Sequence, residues 1–344
     1  MRLLASSRAT RSLALCIATA ALAFIQAAQA QNLPATVGFY PGALLSFPAF
    51  VAQDQGFFKA NGIDATLVPI PNGAAMTAAV ASGSIQFANN SYDNLIMAVA
   101  KGLPLKAVVG ATVKLPLALI VRQGQPLPNQ AAGYPKVMQD LAGAKMGVIG
   151  LGISTHFLTE QLVEGAGLQA NSVQYIAVGL PASARPALKN KSVDTYMSLW
   201  PLPSIVEATG EGTVAVNFIK GEGPAALKDL AYNGWWATDK TIAENSELVR
   251  RFARANEQAY CWYSDARNFD AVVATLKKHV PVADLSDEQY RRMVRETLPA
   301  YGVTIDDASI KTWQAILVGK KQIPRAMSRS ELVAPTGSTQ IRCS

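Results

Sequence analysis

From residue 36 onward, short apolar runs alternate with amphipathic stretches that end at or near a glycine, the pattern of βα units stacked around a parallel sheet. The runs at 36–39, 64–69, 84–88 and 105–111 predict strands, and the stretches at 46–60, 73–82 and 92–101 predict helices. Ser46 and Asn72 stand where N-caps are needed, and Gly62, Gly83 and Gly102 close or follow the helices. A second series begins near 117, with strands at 117–122, 145–149, 173–178, 193–199 and 214–219 and helices at 154–165 and 182–190. No flexible linker separates the two series, so the expectation is two lobes joined by strands. A proline- and glycine-containing loop, 123–136, leads into the second series. A strand at 231–238 precedes a helical tail at 245–264, 268–279, 286–298 and 306–318, and the end from Met327 to Ser344 reads as irregular.

The first thirty residues do not share this pattern. Arg2, Arg8 and Arg11 precede an apolar stretch from Leu13 to Ile25, and Ala28-Gln29-Ala30 is a small-x-small cleavage site, so residues 1–30 read as an export signal cut after Ala30. Cys16 lies inside that peptide. Of the 344 residues, those from Gln31 onward are too many for one ordinary core, and two domains are expected. The formal charge is +7, and the three arginines of the leader leave +4 on the exported chain, too mild and too scattered for nucleic acid. Cys261 and Cys343 remain; an oxidising compartment permits a bridge between them, and two free thiols are the alternative. Neither sits in a C-x-x-C or metal-ligand spacing, so no metal and no cofactor are expected.

Three βα corners present helix starts, whose free N–H groups and dipole favour anions. The first runs from Pro41 through Gly42 and Ala43 to Ser46, with Asn72 a weaker version of the same idea. The second is Asn89-Asn90-Ser91-Tyr92, which supplies amide and hydroxyl donors and one ring. The third, Gly152-Ile153-Ser154-Thr155-His156, opens the first helix of the second series and is the strongest anion-site candidate. Trp200 follows a strand and is a candidate wall for a planar or apolar ligand body, while Trp235 and Trp236 must point to opposite faces of theirs. Thr112 and Lys114 fall where the chain first passes between the series; the lysine reads either as a partner for an anion or as an exposed hinge residue.

The ordered set Gly38-Phe39-Tyr40-Pro41-Gly42-Ala43, Phe47-Pro48-Ala49, Gly56-Phe57-Phe58, Asn72-Gly73-Ala74-Ala75, Ala81-Ser82-Gly83, Lys101 to Lys106, Asp140 to Gly143, Gly150 to His156 and Leu199-Trp200 resembles the nitrate, sulfonate, taurine and thiamin-precursor group (NMT1/THI5-like) of periplasmic solute-binding proteins of ABC importers. The resemblance implies a type II periplasmic binding protein: an α/β chain of two lobes joined by two crossovers, with a ligand cleft between them. Lobe 1 would comprise 31–116 plus 228–344, and lobe 2 would comprise 117–227. It also implies a monomeric periplasmic protein, its partners an ABC permease and its ATPase, that captures a small organic anion of the sulfonate or carboxylate class by lobe closure. A neutral aromatic or pyrimidine-type solute, or delivery to a sensor, is the alternative. Two departures bear on the ligand: Pro201-Leu202-Pro203 replaces an acidic residue usual in sulfonate-type relatives, and Gln86 replaces an aspartate.

An enzyme is not expected. Gly152 to His156 superficially resembles a nucleophile elbow, but His156 stands where the elbow has glycine, and a histidine two residues along a helix points away from the serine.

Overall fold

The computed structural model describes residues 32–336 and Cys343; the expected export signal at 1–30 lies outside the described residues. Ten strands form two five-stranded sheets. The first contains β1 (Leu33–Phe39), β2 (Ile63–Pro69), β3 (Phe87–Ser91), β4 (Leu105–Gly110) and β10 (Asn233–Thr238), in the order β2-β1-β3-β10-β4. The second contains β5 (Leu117–Arg122), β6 (Lys145–Val148), β7 (Gln174–Ala177), β8 (Thr195–Leu199) and β9 (Gly212–Asn217), in the order β7-β6-β8-β5-β9.

The βα pattern alone predicts parallel sheets, but neither sheet is wholly parallel. β10 runs antiparallel to β3 and β4, and β5 runs antiparallel to β8 and β9. The cause is the passage between lobes. β5 is the first strand after the outward crossover and β10 the first after the return, so each enters its sheet from the hinge side, against the direction of the βα strands.

Each predicted helix of the βα series is present, with one break. The stretch 46–60 divides into Phe47–Asp54 and Phe57–Ala60, because Gly56 between them is left-handed at φ 75°. The tail supplies Ser246–Tyr263, Phe269–His279, Asp287–Thr297 and Asp307–Gly319. In the first of these, Leu248, Val249, Phe252, Ala255, Ala259 and Tyr263 recur at three- and four-residue spacing and are buried. Phe252 stacks on Phe87 of β3 with ring centroids 3.8 Å apart, which seats the tail on the first sheet. Trp235 and Trp236, fully buried on successive positions of β10, join the cores on opposite faces of the sheet.

Some helices fall outside the stretches that the pattern predicts, among them Leu202–Ala208, Asp239–Glu244 and Arg329–Leu332. Leu202–Ala208 is a helix with proline in its first turn, which suits a position where no N–H is needed. Arg329–Leu332, in the stretch expected to be irregular, is a short helix held by a capping box between Ser328 and Glu331. The chain then runs along β4, with Val333 bridged to Ala107 and the Ala334 N–H donating to the Ala107 carbonyl at 2.8 Å. Cys343 is bonded to Cys261 in the tail helix, with Cα atoms 5.4 Å apart, so the bridge rather than the two free thiols is realised.

Candidate functional site

β3 ends in Asn89, Asn90 and Ser91, all buried, an unusual load of polar side chains for a central strand. Asn90 accounts for much of it. Its Oδ1 accepts from the Tyr40 hydroxyl (2.9 Å), the Ser91 N–H (2.9 Å) and Asn94 Nδ2 (3.2 Å). Its Nδ2 donates to the Gly73 carbonyl (3.0 Å) and Thr77 Oγ1 (3.2 Å). This one amide therefore ties together the end of β1, the start of the helix Gly73–Ala81 and the start of the helix Tyr92–Ala100. Asn72 caps the former by accepting from the Ala75 N–H at 2.9 Å.

Opposite this wall stands the turn that opens the helix Ser154–Gly165 of the second lobe. Between them is a small cavity of about 50 Å³, lined from the first lobe by Tyr40, Leu45, Asn72, Gly73, Asn90, Ser91 and Asn94. The second lobe contributes Ile149, Ile153, Ser154, Leu180 and Leu199, and the return crossover contributes Tyr232. A wider mouth of about 480 Å³ adjoins it, sharing Asn72, Gly73, Asn94, Ile149, Ile153 and Leu180 and adding Pro71, Ala74, Gly179 and Ser183. Among the described residues that line the two spaces there is no lysine, arginine, histidine or carboxylate.

The lobes touch across this cleft through named groups. Ser154 Oγ and the Tyr232 hydroxyl are 3.0 Å apart. The Ser154 N–H donates to Asp93 Oδ2 at 2.8 Å, so a carboxylate of the first lobe occupies the start of the second-lobe helix. Asp93 is fully buried, and Oδ1 has no hydrogen-bond partner. Burial raises its pKa; the nearby Ser91 hydroxyl and the Ser154 and Asn94 amides pull the other way without cancelling the rise. The Leu44 N–H donates to the Trp200 carbonyl at 3.2 Å.

Of the residues expected to meet a ligand, Asn72, Ser91 and Ser154 line the cavity; the others are placed elsewhere. Gly42 opens onto an outer groove between the lobes, and Ala43 is buried beside it. Ser46 does not cap a helix, since its Oγ accepts from the Tyr40 N–H at 3.2 Å. Asn89 is buried in the sheet and accepts from Asn233 Nδ2 at 2.8 Å. Tyr92 packs under β10, where a methyl group on Gly234 would lie 2.8 Å from its hydroxyl. Thr155 is committed to its own turn, its Oγ1 accepting from the Ile149 N–H at 3.1 Å. Trp200 is 2 % exposed and belongs to the core rather than the cavity lining.

Thr112 is buried at the hinge, where its Oγ1 accepts from the N–H groups of Tyr232 (2.9 Å) and Asn233 (3.1 Å) and so clips the two crossovers together. Lys114 pairs there with Asp229 at 3.4 Å. His156 Nδ1 accepts from the Gly152 N–H at 3.1 Å, and Nε2 lies 3.8 Å from Glu160. Burial lowers its pKa against the pull of Glu160, and its ring supports the turn that presents Ser154.

Sequence reasoning missed Tyr40, Asn94, Tyr232 and Asp93. Asn94 sits one turn into a helix whose start was identified, so its side chain was within reach of that argument; Tyr232 and Asp93 act through contacts more than sixty residues away in sequence.

At the outer groove Arg185 of the helix Pro181–Lys189 makes two paired contacts. Nε and Nη2 reach Glu211 at 2.8 and 3.0 Å within the second lobe; Nη1 and Nη2 reach Asp284 of the first at 2.8 and 3.1 Å. Arg185 holds the Glu211 carboxyl well below its ordinary range, at about 2, and pulls Asp284 down as well. For depressed carboxylates the stabilisation is complete above their unfolded pKa and is lost as pH falls through the folded value. The contact between lobes therefore persists at neutral pH and weakens on acidification below about pH 4. Replacing Arg185 with Gln is expected to speed release of a bound ligand about fivefold, equivalent to roughly 1 kcal/mol for a partly exposed bidentate pair. Stopped-flow dissociation checks this; an unchanged rate would show that the pair does not hold the closed form.

The family model described as NMT1/THI5 like matches residues 46–266. The riboflavin-binding protein RibY of Chloroflexus aurantiacus is 28% identical over 256 residues, covering 73% of this chain and 68% of that protein. The taurine-binding periplasmic protein of Escherichia coli is 26% identical over 239 residues, covering 69% and 68%. Among solved structures, the periplasmic aliphatic sulphonate binding protein SsuA from Escherichia coli superposes with a TM-score of 0.69 at 18% identity, covering 88% of this chain and 97% of that one. A family match across most of both sheets, together with two mixed sheets joined by two crossovers, shows that the chain has the periplasmic-binding-protein fold and belongs to the NMT1/THI5-like family.

Proposed function

We propose that this protein is the solute-binding component of an ABC importer, exported to the periplasm as a monomer, which captures a small organic molecule between its lobes and presents the closed form to a permease and its ATPase. The observation that carries the reading is the cavity lined from both lobes and from the return crossover, with Ser154, Tyr232, Asp93 and Asn90 disposed around it. The lobes are residues 31–116 with 228–344, and 117–227. A single disulfide suits an oxidising compartment.

The inner cavity of about 50 Å³ is smaller than the ~300–1,000 Å³ of ordinary ligand pockets, so capture requires the lobes to part and re-close, with the mouth taking the rest of the ligand. Relatives point to two ligand classes. The names of the taurine- and sulphonate-binding proteins favour the small organic anion of the sulfonate or carboxylate class, and that of RibY favours a neutral ring.

The test is a thermal-shift screen of residues 31–344 against sulfonates, carboxylates, nitrate, pyrimidines and riboflavin, followed by small-angle scattering with each hit. Binding at a hundred times the dissociation constant raises stability by about 2.7 kcal/mol. Ser154→Ala combined with Tyr232→Phe is expected to weaken a hit more than tenfold while the protein still folds. Unchanged affinity would move the site elsewhere, and binding without compaction from an open form would overturn the capture mechanism.

A further inference from the structure

We propose that Asp93 is a specificity-determining residue, which makes the cleft select an uncharged, hydrogen-bonding solute and turn away sulfonates and carboxylates. The inference rests on the solute-binding reading above and narrows it to a ligand class. The start of the helix Ser154–Gly165 is the position in this cleft best suited to an anion, since its N–H groups and dipole point there. That position is already taken: the Ser154 N–H donates to Asp93 Oδ2 at 2.8 Å, and the Ser154 hydroxyl is engaged with Tyr232 at 3.0 Å.

A second observation bears on the same point. Asp93 is fully buried and Oδ1 is without a hydrogen-bond partner, although it stands between Ser91 and Ser154, both of which line the cavity. A buried carboxylate oxygen with nothing donating to it disfavours a second negative charge nearby and favours a donor. Nothing in the cavity offsets this, because among the described residues no lysine, arginine or histidine lines it or its mouth. What remains is amide and hydroxyl groups from Asn72, Ser91, Asn94 and Tyr232 with apolar walls from Ile149, Ile153 and Leu180, which suits a flat polar ring carrying N–H or O–H groups.

The experiment compares wild type with Asp93→Asn by isothermal titration, using butanesulfonate and benzoate as anionic probes and riboflavin and an aminopyrimidine as neutral ones. Asparagine keeps the shape, can still accept from Ser154, and puts a donor where Oδ1 lacks one. The expected result is a neutral probe bound by wild type, no anion bound by wild type below millimolar, and at least a tenfold gain in anion affinity in Asp93→Asn. Wild-type binding of butanesulfonate or benzoate in the micromolar range overturns the inference and leaves the solute-binding reading standing, and this arm needs no variant to fold. Equal anion affinities in the two proteins also overturn it. Failure of every probe with both proteins overturns the solute-binding reading itself, and this inference with it.

Discussion

Replacing Asn90 with leucine is expected to lower the unfolding free energy by about 3–5 kcal/mol and to weaken ligand binding more than tenfold. Leucine has similar bulk and no polar atoms, so the change isolates the five hydrogen bonds that Asn90 makes. The Tyr40 hydroxyl and the Ser91 N–H would be left in a buried site without this acceptor, whereas the half-buried Gly73 carbonyl and Thr77 hydroxyl lose one bond each and keep the one between them at 3.0 Å. Each such group costs about 1–3 kcal/mol when stranded, less where local movement restores a partner. The binding loss has a separate origin. Tyr40, Asn72 and Asn94 line the cleft from three segments whose mutual positions depend on the Asn90 amide, and a displacement of several tenths of an ångström at each is enough to spoil a shared set of contacts. Urea unfolding measures the first effect and titration of the screened ligand the second. A stability loss under about 1 kcal/mol would mean that the strand end holds its shape without this residue.

The second large effect is expected on removing the bridge between Cys261 and Cys343. The two residues are 82 apart in sequence, so the cross-link closes a long loop. In the chain-entropy description such a loop is worth about 4.5 kcal/mol, and measured values generally fall at about 2–4. Cys261→Ala with Cys343→Ala, or wild type in reductant, should therefore melt roughly 4–10 °C lower. Because Cys261 is in the long helix that seats the tail on the first sheet, ligand affinity should hardly change. A melting temperature insensitive to reductant would place the stability of this end in the capping box and the β4 contact alone.

Much of the architecture was legible in the chain because it depends on short-range pattern. The apolar runs at 105–111 and 117–122, and the amphipathic repeat around Leu248, Phe252 and Ala259, could each bury a face in only one way. The short helix at Arg329–Leu332 was also within reach, through its Ser328-x-x-Glu331 spacing. The sheet direction was not, since antiparallel β5 and β10 look like their parallel neighbours in composition, and their direction follows from where the chain crosses.

The site divides in the same way. Helix starts at Asn72, Ser91 and Ser154 were visible from local chemistry, and all three residues line the cavity. What each side chain bonds to was not visible, because Ser46, Thr155 and Thr112 are equally able to meet a ligand or a backbone amide, and the folded chain gives each an amide. Asp93 marks the limit. In sequence it is an acid in the first turn of a helix, an ordinary partner for that helix's own dipole. Only the approach of the second lobe places it on the start of another helix, 61 residues away, and turns the expected anion site into one already holding a carboxylate. The two βα series, the helical tail and the three helix starts are written in the chain, since hydrophobic period and capping are properties of neighbouring residues. Tertiary structure alone decided which groups face the cleft and with what charge, since burial and electrostatic partnership depend on distances that no local pattern contains.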